Sequence, residues 1–192
     1  MATILAFGGS LRKESFNQRL AVLAAAEARA VGATAETIAL RDYPLPVFDE
    51  DLEKAHGQPA QAAALKAKLK AAQGWIIAAP EYNSSITAAL KNALDWVSRV
   101  TPGERPLEVF AGKVVLLLAA SPGGLGGLRG LVTVRSILGN IGVIVLPEQL
   151  AIAKAHEAFT AEGALQEAKQ AEQLRGLVRW LVVVADRLGE GK

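Results

Sequence analysis

Residues 8–20 read GGSLRKESFNQRL, and the rest of the chain is organised around this stretch. A short apolar run from Ile4 to Gly8 precedes it, and apolar residues at helical spacing follow it. The stretch contains two glycines, two serines, two arginines and an asparagine, and its only carboxylate is Glu14. Backbone N–H groups at a helix start, hydroxyl groups and a guanidinium together bind anions. The sequence therefore predicts a phosphate pocket between a first strand and a first helix.

The composition is typical of a folded globular chain and excludes several classes of protein. The 192 residues are expected to form a single domain, 1–192. The absence of cysteine excludes disulfides, a cysteine nucleophile and thiolate metal sites. The net charge of +2 arises from scattered residues, so no nucleic-acid surface is expected. Neither a signal peptide nor a membrane-spanning stretch is visible, and the predicted location is the cytoplasm.

Apolar runs and helical stripes alternate along the chain. Strands are predicted at 3–8, 34–40, 75–79, 114–119 and 143–146. Helices are predicted from near Ser15 to Gly32, and then at 60–73, 86–97, 131–141 and 160–188. Ser15 and Gln18 have the form of a capping box. A long loop is expected at 41–59, and irregular or edge structure at 147–159. The alternation predicts an α/β fold, a doubly wound parallel sheet of order 2-1-3-4-5 with helices on both faces.

Three loops should meet where the order of strands reverses, because ligands of such sheets bind at the carboxyl ends of the strands there. Loop 8–17 suits a phosphate. Loop 80–85 suits a flat polar ring, since Pro80 stiffens the turn and Tyr82 can pack on the face of a ring. Loop 121–127 has four glycines, which would let the backbone approach a ligand closely. Each loop also has an alternative interpretation. Loop 8–17 could be a plain helix cap, Tyr82 in loop 80–85 could cover the core, and loop 121–127 could be a mobile connection.

Several familiar motifs are missing from the chain. No Gly-x-Gly-x-x-Gly follows the first strand, so the standard dinucleotide fingerprint is absent. The P-loop motif is absent as well, and so is the Gly-x-Ser-x-Gly elbow of α/β-hydrolases. The two histidines, His56 and His156, lie a hundred residues apart in sequence, and His156 is predicted to be structural or on the surface. No metal site and no catalytic acid–base pair are expected.

Two motifs, in order, carry a resemblance to a known family. The first is Gly9-Ser10-Leu11-Arg12-x-x-Ser15-x-Asn17-x-x-Leu20. The second is Pro80-Glu81-Tyr82-Asn83-x-Ser85, followed by Leu90-Lys91-Asn92-Ala93-x-Asp95-Trp96. Together with Ser121-Pro122-Gly123-Gly124, they resemble the NADPH-dependent FMN reductase family, which includes chromate and quinone reductases and some azoreductases. The resemblance extends over roughly residues 2 to 185 and implies a flavodoxin-like fold that binds FMN without a covalent bond.

The resemblance also implies which residues contact FMN. The phosphate would be held by Ser10, Arg12, Ser15, Phe16 and Asn17. The isoalloxazine ring would contact Pro80, Glu81, Tyr82 and Asn83, with Ser121 and Gly123 along its other edge. Family members are usually dimers or tetramers, and an acidic loop of a neighbouring subunit can approach the flavin, which here would involve Asp49 or Asp51.

The function expected from this resemblance is a ping-pong flavin reductase. NAD(P)H would pass a hydride to N5 of the flavin and leave, and an acceptor would then be reduced. Free flavin, quinone, azo compound and chromate remain open as acceptors. NADPH and NADH remain open as reductants, with Arg99, Arg105 and Arg129 available for a 2′-phosphate. The alternatives are a flavodoxin-type electron carrier and a phosphate-binding module without flavin. The slightly basic net charge of the chain disfavours the electron carrier.

Overall fold

The computed structural model describes residues 1–190 and contains one sheet of five parallel strands. The strands are β1 (Thr3–Gly8), β2 (Thr34–Ala39), β3 (Gly74–Ala78), β4 (Val114–Ala120) and β5 (Ile144–Ile152). Their order in the sheet is β2-β1-β3-β4-β5, which confirms the prediction. The reversal of order lies between β1 and β3, so the loops after these strands meet at one edge of the sheet.

Helices cover both faces of the sheet. They are α1 (Phe16–Ala30), α2 (Glu50–His56), α3 (Ala60–Ala71), α4 (Ala88–Ser98), α5 (Leu128–Asn140) and α6 (Ala168–Glu190). One core layer joins the sheet to α1 and α6, and the other joins it to α3, α4 and α5. Strands β3 and β4 are buried along their whole length, as apolar central strands of a parallel sheet are. None of the helices described in 1–190 is both long and apolar enough to cross a bilayer.

The segment predicted as a structureless loop, 41–59, contains a helix, so that prediction was wrong. A 3₁₀ turn occupies Leu40–Asp42, and α2 begins after Asp49. The Asp49 carboxylate accepts hydrogen bonds from the N–H groups of Asp51 at 2.8 Å and Leu52 at 3.4 Å, which is a helix N-cap. Acidic residues in the first turn and basic residues in the last turn match the helix dipole. Those signals were present in the sequence.

Two further boundaries and one helix cap differ from the predictions. Strand β5 continues to Ile152 across a shift in its register with β4, so the ordered edge extends beyond residue 146. Helix α6 begins at Ala168 and not at 160, because Phe159 and Leu165 pair in a short antiparallel bridge before it. Half of the capping box forms. Ser15 caps α1, but the Gln18 amide binds Gly8 N–H at 2.9 Å and Ile38 O at 2.9 Å.

Candidate functional site

A cavity lies at the carboxyl ends of β1, β3 and β4. It is lined by Ser10, Arg12, Ser15, Phe16, Asn17, Pro80, Glu81, Tyr82, Ala120, Ser121 and Pro122. The structure thus brings together every predicted site residue except Asn83 and Gly123, which lie just outside this lining. A neighbouring groove shares Ser10, Arg12 and Tyr82 with it and reaches the first turn of α4.

The first loop presents hydrogen-bond donors to this cavity. The Ser15 hydroxyl accepts the Gln18 N–H at 3.3 Å, which leaves the first helical N–H groups, those of Phe16 and Asn17, without a partner within α1. Ser10 Oγ accepts the Arg12 N–H at 3.2 Å and so shapes the loop. The Arg12 side chain is exposed and forms no ion pair with any residue in 1–190. The loop is therefore electropositive where the helix dipole is positive.

Asn17 is buried and ties the first loop to the third. Its amide donates to the Ala120 carbonyl at 2.7 Å and accepts the Ala120 N–H at 2.9 Å, and the residue is only 3% exposed. The amide nitrogen has two hydrogens, so one remains for the cavity that Asn17 lines. Its main structural work is thus to join residues 103 positions apart.

The second loop is a tight turn that exposes an aromatic ring. Tyr82 N–H donates to Ser85 O at 2.9 Å, and Ser85 N–H donates to Tyr82 O at 3.1 Å. Asn83 and Ser84 both have left-handed backbones, with φ of 52° and 65°, as in a type I′ turn. Tyr82 is 51% exposed, so it does not serve as a cover for the core.

Glu81 has a role that sequence reasoning missed. Its carboxylate accepts hydrogen bonds from the backbone N–H groups of Arg129 at 2.9 Å and Gly130 at 3.2 Å, and from Arg129 Nε at 2.8 Å. Burial acts to raise the pKa of the Glu81 carboxyl, but the hydrogen bonds from Arg129 and Gly130 outweigh it and hold that pKa below its ordinary value. The side chain of Glu81 therefore caps α5.

The glycines of the third loop fall into two groups. A side chain at Gly126 or Gly127 would place its Cβ 2.8 Å or 2.9 Å from neighbouring atoms, and both residues have positive φ. These two positions therefore serve close packing against β4 and β5. Added Cβ atoms at Gly123 and Gly124 would meet open space or only Ser121 Oγ at 3.7 Å, so the backbone there is accessible. The loop is held by Ala155 N–H, which donates to Ser121 O at 3.0 Å.

Three hydrogen-bonded links, here called the three loop ties, connect residues that lie in the loops or directly flank them. Thr87 Oγ1, at the start of α4, donates to Gly9 O at 2.5 Å and joins the second loop to the first. The Asn17–Ala120 pair joins the first to the third. The Glu81–Arg129 pair joins the second to the third. The ends of the loops are thus held together in pairs around the cavity.

Other candidate residues lie away from the cavity. Asp49 and Asp51 stand at the start of α2, and both histidines are exposed. Arg99 pairs with Glu53 at 2.8 Å, and Arg129 pairs with Glu81. Arg105 lies 3.8 Å from Glu108 on the surface. Over the described part of the chain, no group of three or more acidic or histidine side chains is placed to hold a metal ion.

The N-terminus of α1 and an exposed aromatic turn, brought together at the switch point of a 2-1-3-4-5 sheet, are features of a flavodoxin-like α/β protein with a pocket for a phosphate-bearing ligand. The chain matches the model of the NADPH-dependent FMN reductase family over residues 2–157, and it belongs to that family. The enzyme interpretation, with FMN as cofactor and NAD(P)H as reductant, is confirmed and is favoured over an electron carrier.

The chain is also similar to named relatives and to a solved structure. It is 37% identical to a quinone reductase of Escherichia coli over 139 residues, which are 72% of this chain and 70% of that protein. It is 35% identical to an NAD(P)H-dependent FMN reductase of Pseudomonas aeruginosa over 184 residues, 93% of this chain and 94% of the relative. The solved structure of FerB, a flavoenzyme NAD(P)H:(acceptor) oxidoreductase from Paracoccus denitrificans, matches with a TM-score of 0.76 at 27% identity, over 97% of this chain and 98% of that one.

Proposed function

We propose that this chain, as one domain, binds FMN in the cavity between its three loops and transfers electrons from NAD(P)H to a small acceptor in two half-reactions. The observation that carries the proposal is that one cavity joins the positive N-terminus of α1 to the exposed turn at Tyr82. A phosphate and a flat ring on one ligand need these two environments side by side.

The residues of the first loop fit a phosphate. In the proposal, Ser10, Arg12 and Ser15 contact its oxygens together with the unpaired N–H groups of Phe16 and Asn17. Arg12 contributes a charge-assisted hydrogen bond, and its guanidinium is available because it has no partner in 1–190. The Asn17 side chain contributes mainly by fixing the loop against Ala120.

The second and third loops would orient the ring. In the proposal, Pro80 and Tyr82 contact it directly, and backbone groups of Glu81 and Asn83 bind its polar edge. Ser121 and Gly123 lie on the other side, where an open backbone allows close approach. The Glu81 carboxylate itself accepts hydrogen bonds from backbone N–H groups of α5.

Bound FMN supplies a ring that accepts a hydride from NAD(P)H and returns electrons to the acceptor. The chain binds and orients the cofactor, and the three loop ties keep the site in one shape. The cavity-lining carboxylate, Glu81, is paired with Arg129, so it is not free to move a proton. Quinones and free flavin are the acceptors proposed, because relatives more than 30% identical bear those names.

The test is an absorption spectrum taken in three steps. Purified protein is mixed with FMN and gel-filtered, and it should emerge yellow. NADPH added without oxygen should bleach the bound flavin, and a benzoquinone should restore the colour. FMN and NADPH without protein are the control. An electron carrier would stay yellow with NADPH, and a binding module without flavin would emerge colourless. NADH in a parallel cuvette distinguishes the two reductants.

The proposal includes a homodimer or homotetramer in the cytoplasm. The second half of α6 supports self-association, because Trp180 and Val183 are 48% and 45% exposed while Leu181 is buried in the monomer. Light scattering measures the mass. Val183→Lys should shift that mass toward a monomer, and an unchanged assembly would place the interface elsewhere.

A further inference from the structure

The Glu81 carboxylate presents an electrostatic problem at the proposed flavin site. Glu81 lies between Pro80 and Tyr82, and all three line the cavity. Its side chain is only 9% exposed, so water screens its charge poorly. Two-electron reduction of FMN adds negative charge to the ring. A bare carboxylate in this turn would oppose that reduction.

The structure neutralises this carboxylate from one direction. Helix α5 begins after Gly127, which has no side chain to cap the helix. Glu81 supplies the cap from another loop by accepting two backbone N–H groups of α5. The helix dipole is positive at this end and therefore stabilises the carboxylate. Gly130 permits the approach, since a Cβ there would lie 3.2 Å from Glu81 Cβ.

Arg129 completes the neutralisation. Its Nη2 atom lies 2.6 Å from Glu81 Oε1 and its Nε atom 2.8 Å from the same oxygen, which is a two-point contact from one guanidinium. Arg129 itself does not line the cavity. Any effect of Arg129 on a ligand in the cavity must therefore pass through Glu81 or through the field of the pair.

We propose that Arg129 is a positioning residue that acts on bound FMN through Glu81: it keeps the carboxylate on the α5 N-terminus and cancels its charge, so that reduced FMN is not expelled. This inference rests on the proposed function. Two effects are combined in it. The pair holds the Pro80–Ser85 turn in place, and it sets the reduction potential of the flavin. A purely structural role would have only the first effect.

The experiment is a double-mutant cycle on the FMN-loaded protein. Arg129→Gln, Glu81→Gln and the double variant are compared with the parent. Arg129→Lys is the charge-conserving variant, and Arg179→Gln, at an exposed position of α6, is the control. The dissociation constants of oxidised and reduced FMN are measured by anaerobic titration, and the midpoint potential is measured with reference dyes.

Arg129→Gln should weaken the binding of reduced FMN relative to that of oxidised FMN by about tenfold. This is the order expected when a poorly screened charge loses its counter-charge. The midpoint potential should become more negative accordingly. In the double variant, the ratio of the dissociation constants of reduced and oxidised FMN should return toward the parental value, because no uncompensated charge remains. Arg129→Lys should retain most of the parental ratio, and Arg179→Gln all of it.

Two results would overturn the inference. One is an equal loss of affinity for both redox states in Arg129→Gln, which would mean that the pair only holds the turn. The other is a double variant with a ratio as poor as that of Arg129→Gln. If Glu81→Gln does not fold, Arg129→Gln and Arg129→Lys decide alone, since the Arg129 side chain is 59% exposed. A parent that binds no FMN would remove the proposed function as well, so the two failures are distinguishable.

Discussion

The side chain of Asn17 forms both a donor and an acceptor hydrogen bond with the backbone of Ala120, at 2.7 Å and 2.9 Å. The two residues come from α1 and from the end of β4, and both are buried. An amide side chain can satisfy a backbone N–H and a backbone C=O at the same time. This pair therefore fixes the distance between the phosphate loop and the glycine loop.

Asn17→Ala should destabilise the protein by about 3 kcal/mol, because it leaves a buried N–H and a buried C=O of Ala120 without partners. The midpoint of urea unfolding measures the change. Asn140→Ala is the matched control, since Asn140 is an exposed residue at the end of α5. Equal midpoints for the two variants would contradict a structural role for this pair.

Arg12→Ala should weaken FMN binding by about 1.5–3 kcal/mol, the contribution of one hydrogen bond to a charged group. Fluorescence titration of FMN measures the affinity. The unfolding midpoint without FMN should stay at the parental value, because Arg12 forms no ion pair in the described chain. Riboflavin, which lacks the phosphate, is the control ligand, and its binding should be unaffected. Unchanged FMN affinity would refute the phosphate assignment.

Gly127→Ala should destabilise the fold by about 2 kcal/mol or more, through the positive φ of 93° and a Cβ placed 2.9 Å from Ala119 Cβ. Gly124→Ala is the control in the same loop, where the added Cβ meets no atom within 4 Å. Thermal unfolding of both apoproteins measures the difference. If both substitutions cost the same, the two kinds of glycine in this loop do not differ in role.

The carboxylate of Glu104, at the opposite end of the sheet from the cavity, should make the stability of the protein depend on pH. Hydrogen bonds from Lys66 and Thr101 hold the pKa of the Glu104 carboxyl well below its ordinary value of 4.5. Because the native pKa is depressed, this stabilisation is complete above about pH 4.5 and is lost as the pH falls further. Lys70 adds a second ion pair to Glu104 at 3.0 Å.

Glu104→Gln should therefore lower stability at neutral pH by about 3 kcal/mol, since it leaves buried Lys66 without its counter-charge. It should also flatten the fall in stability below pH 4.5. Urea midpoints measured from neutral to acidic pH test both effects. Glu172→Gln, at an exposed position of α6, should keep the parental curve. A parental slope in Glu104→Gln would assign the acid sensitivity to other groups.

The strands, their order and the first two loops could be predicted because their signals are local. Central parallel strands are apolar on both faces, and polar turns follow them directly. Helix α2 was missed because prolines on both sides of it suggested a loop, although the Asp49 cap and the acidic first turn were visible. The local helix signals between the prolines determine the structure there.

The ties across the site could not be predicted from sequence. Glu81 and Arg129 are 48 positions apart, and nothing in either neighbourhood indicates the other. Sequence also shows a glycine without the atoms around it, so Gly127 and Gly124 looked alike although only one is packed against a strand. The sequence thus supports a proposal for the residues that contact a ligand, but it does not indicate the residues that fix them to one another.

Because the three loop ties link the loops and the residues that flank them, the ends of the loops cannot move apart without breaking at least one of these hydrogen bonds. The cavity is therefore formed when the chain folds, before any cofactor arrives. A set of unlinked loops would lose conformational entropy when it binds a ligand. In this protein that entropy has already been lost in folding. The apoprotein should accordingly take up FMN at a rate set by encounter, with little rearrangement of its backbone.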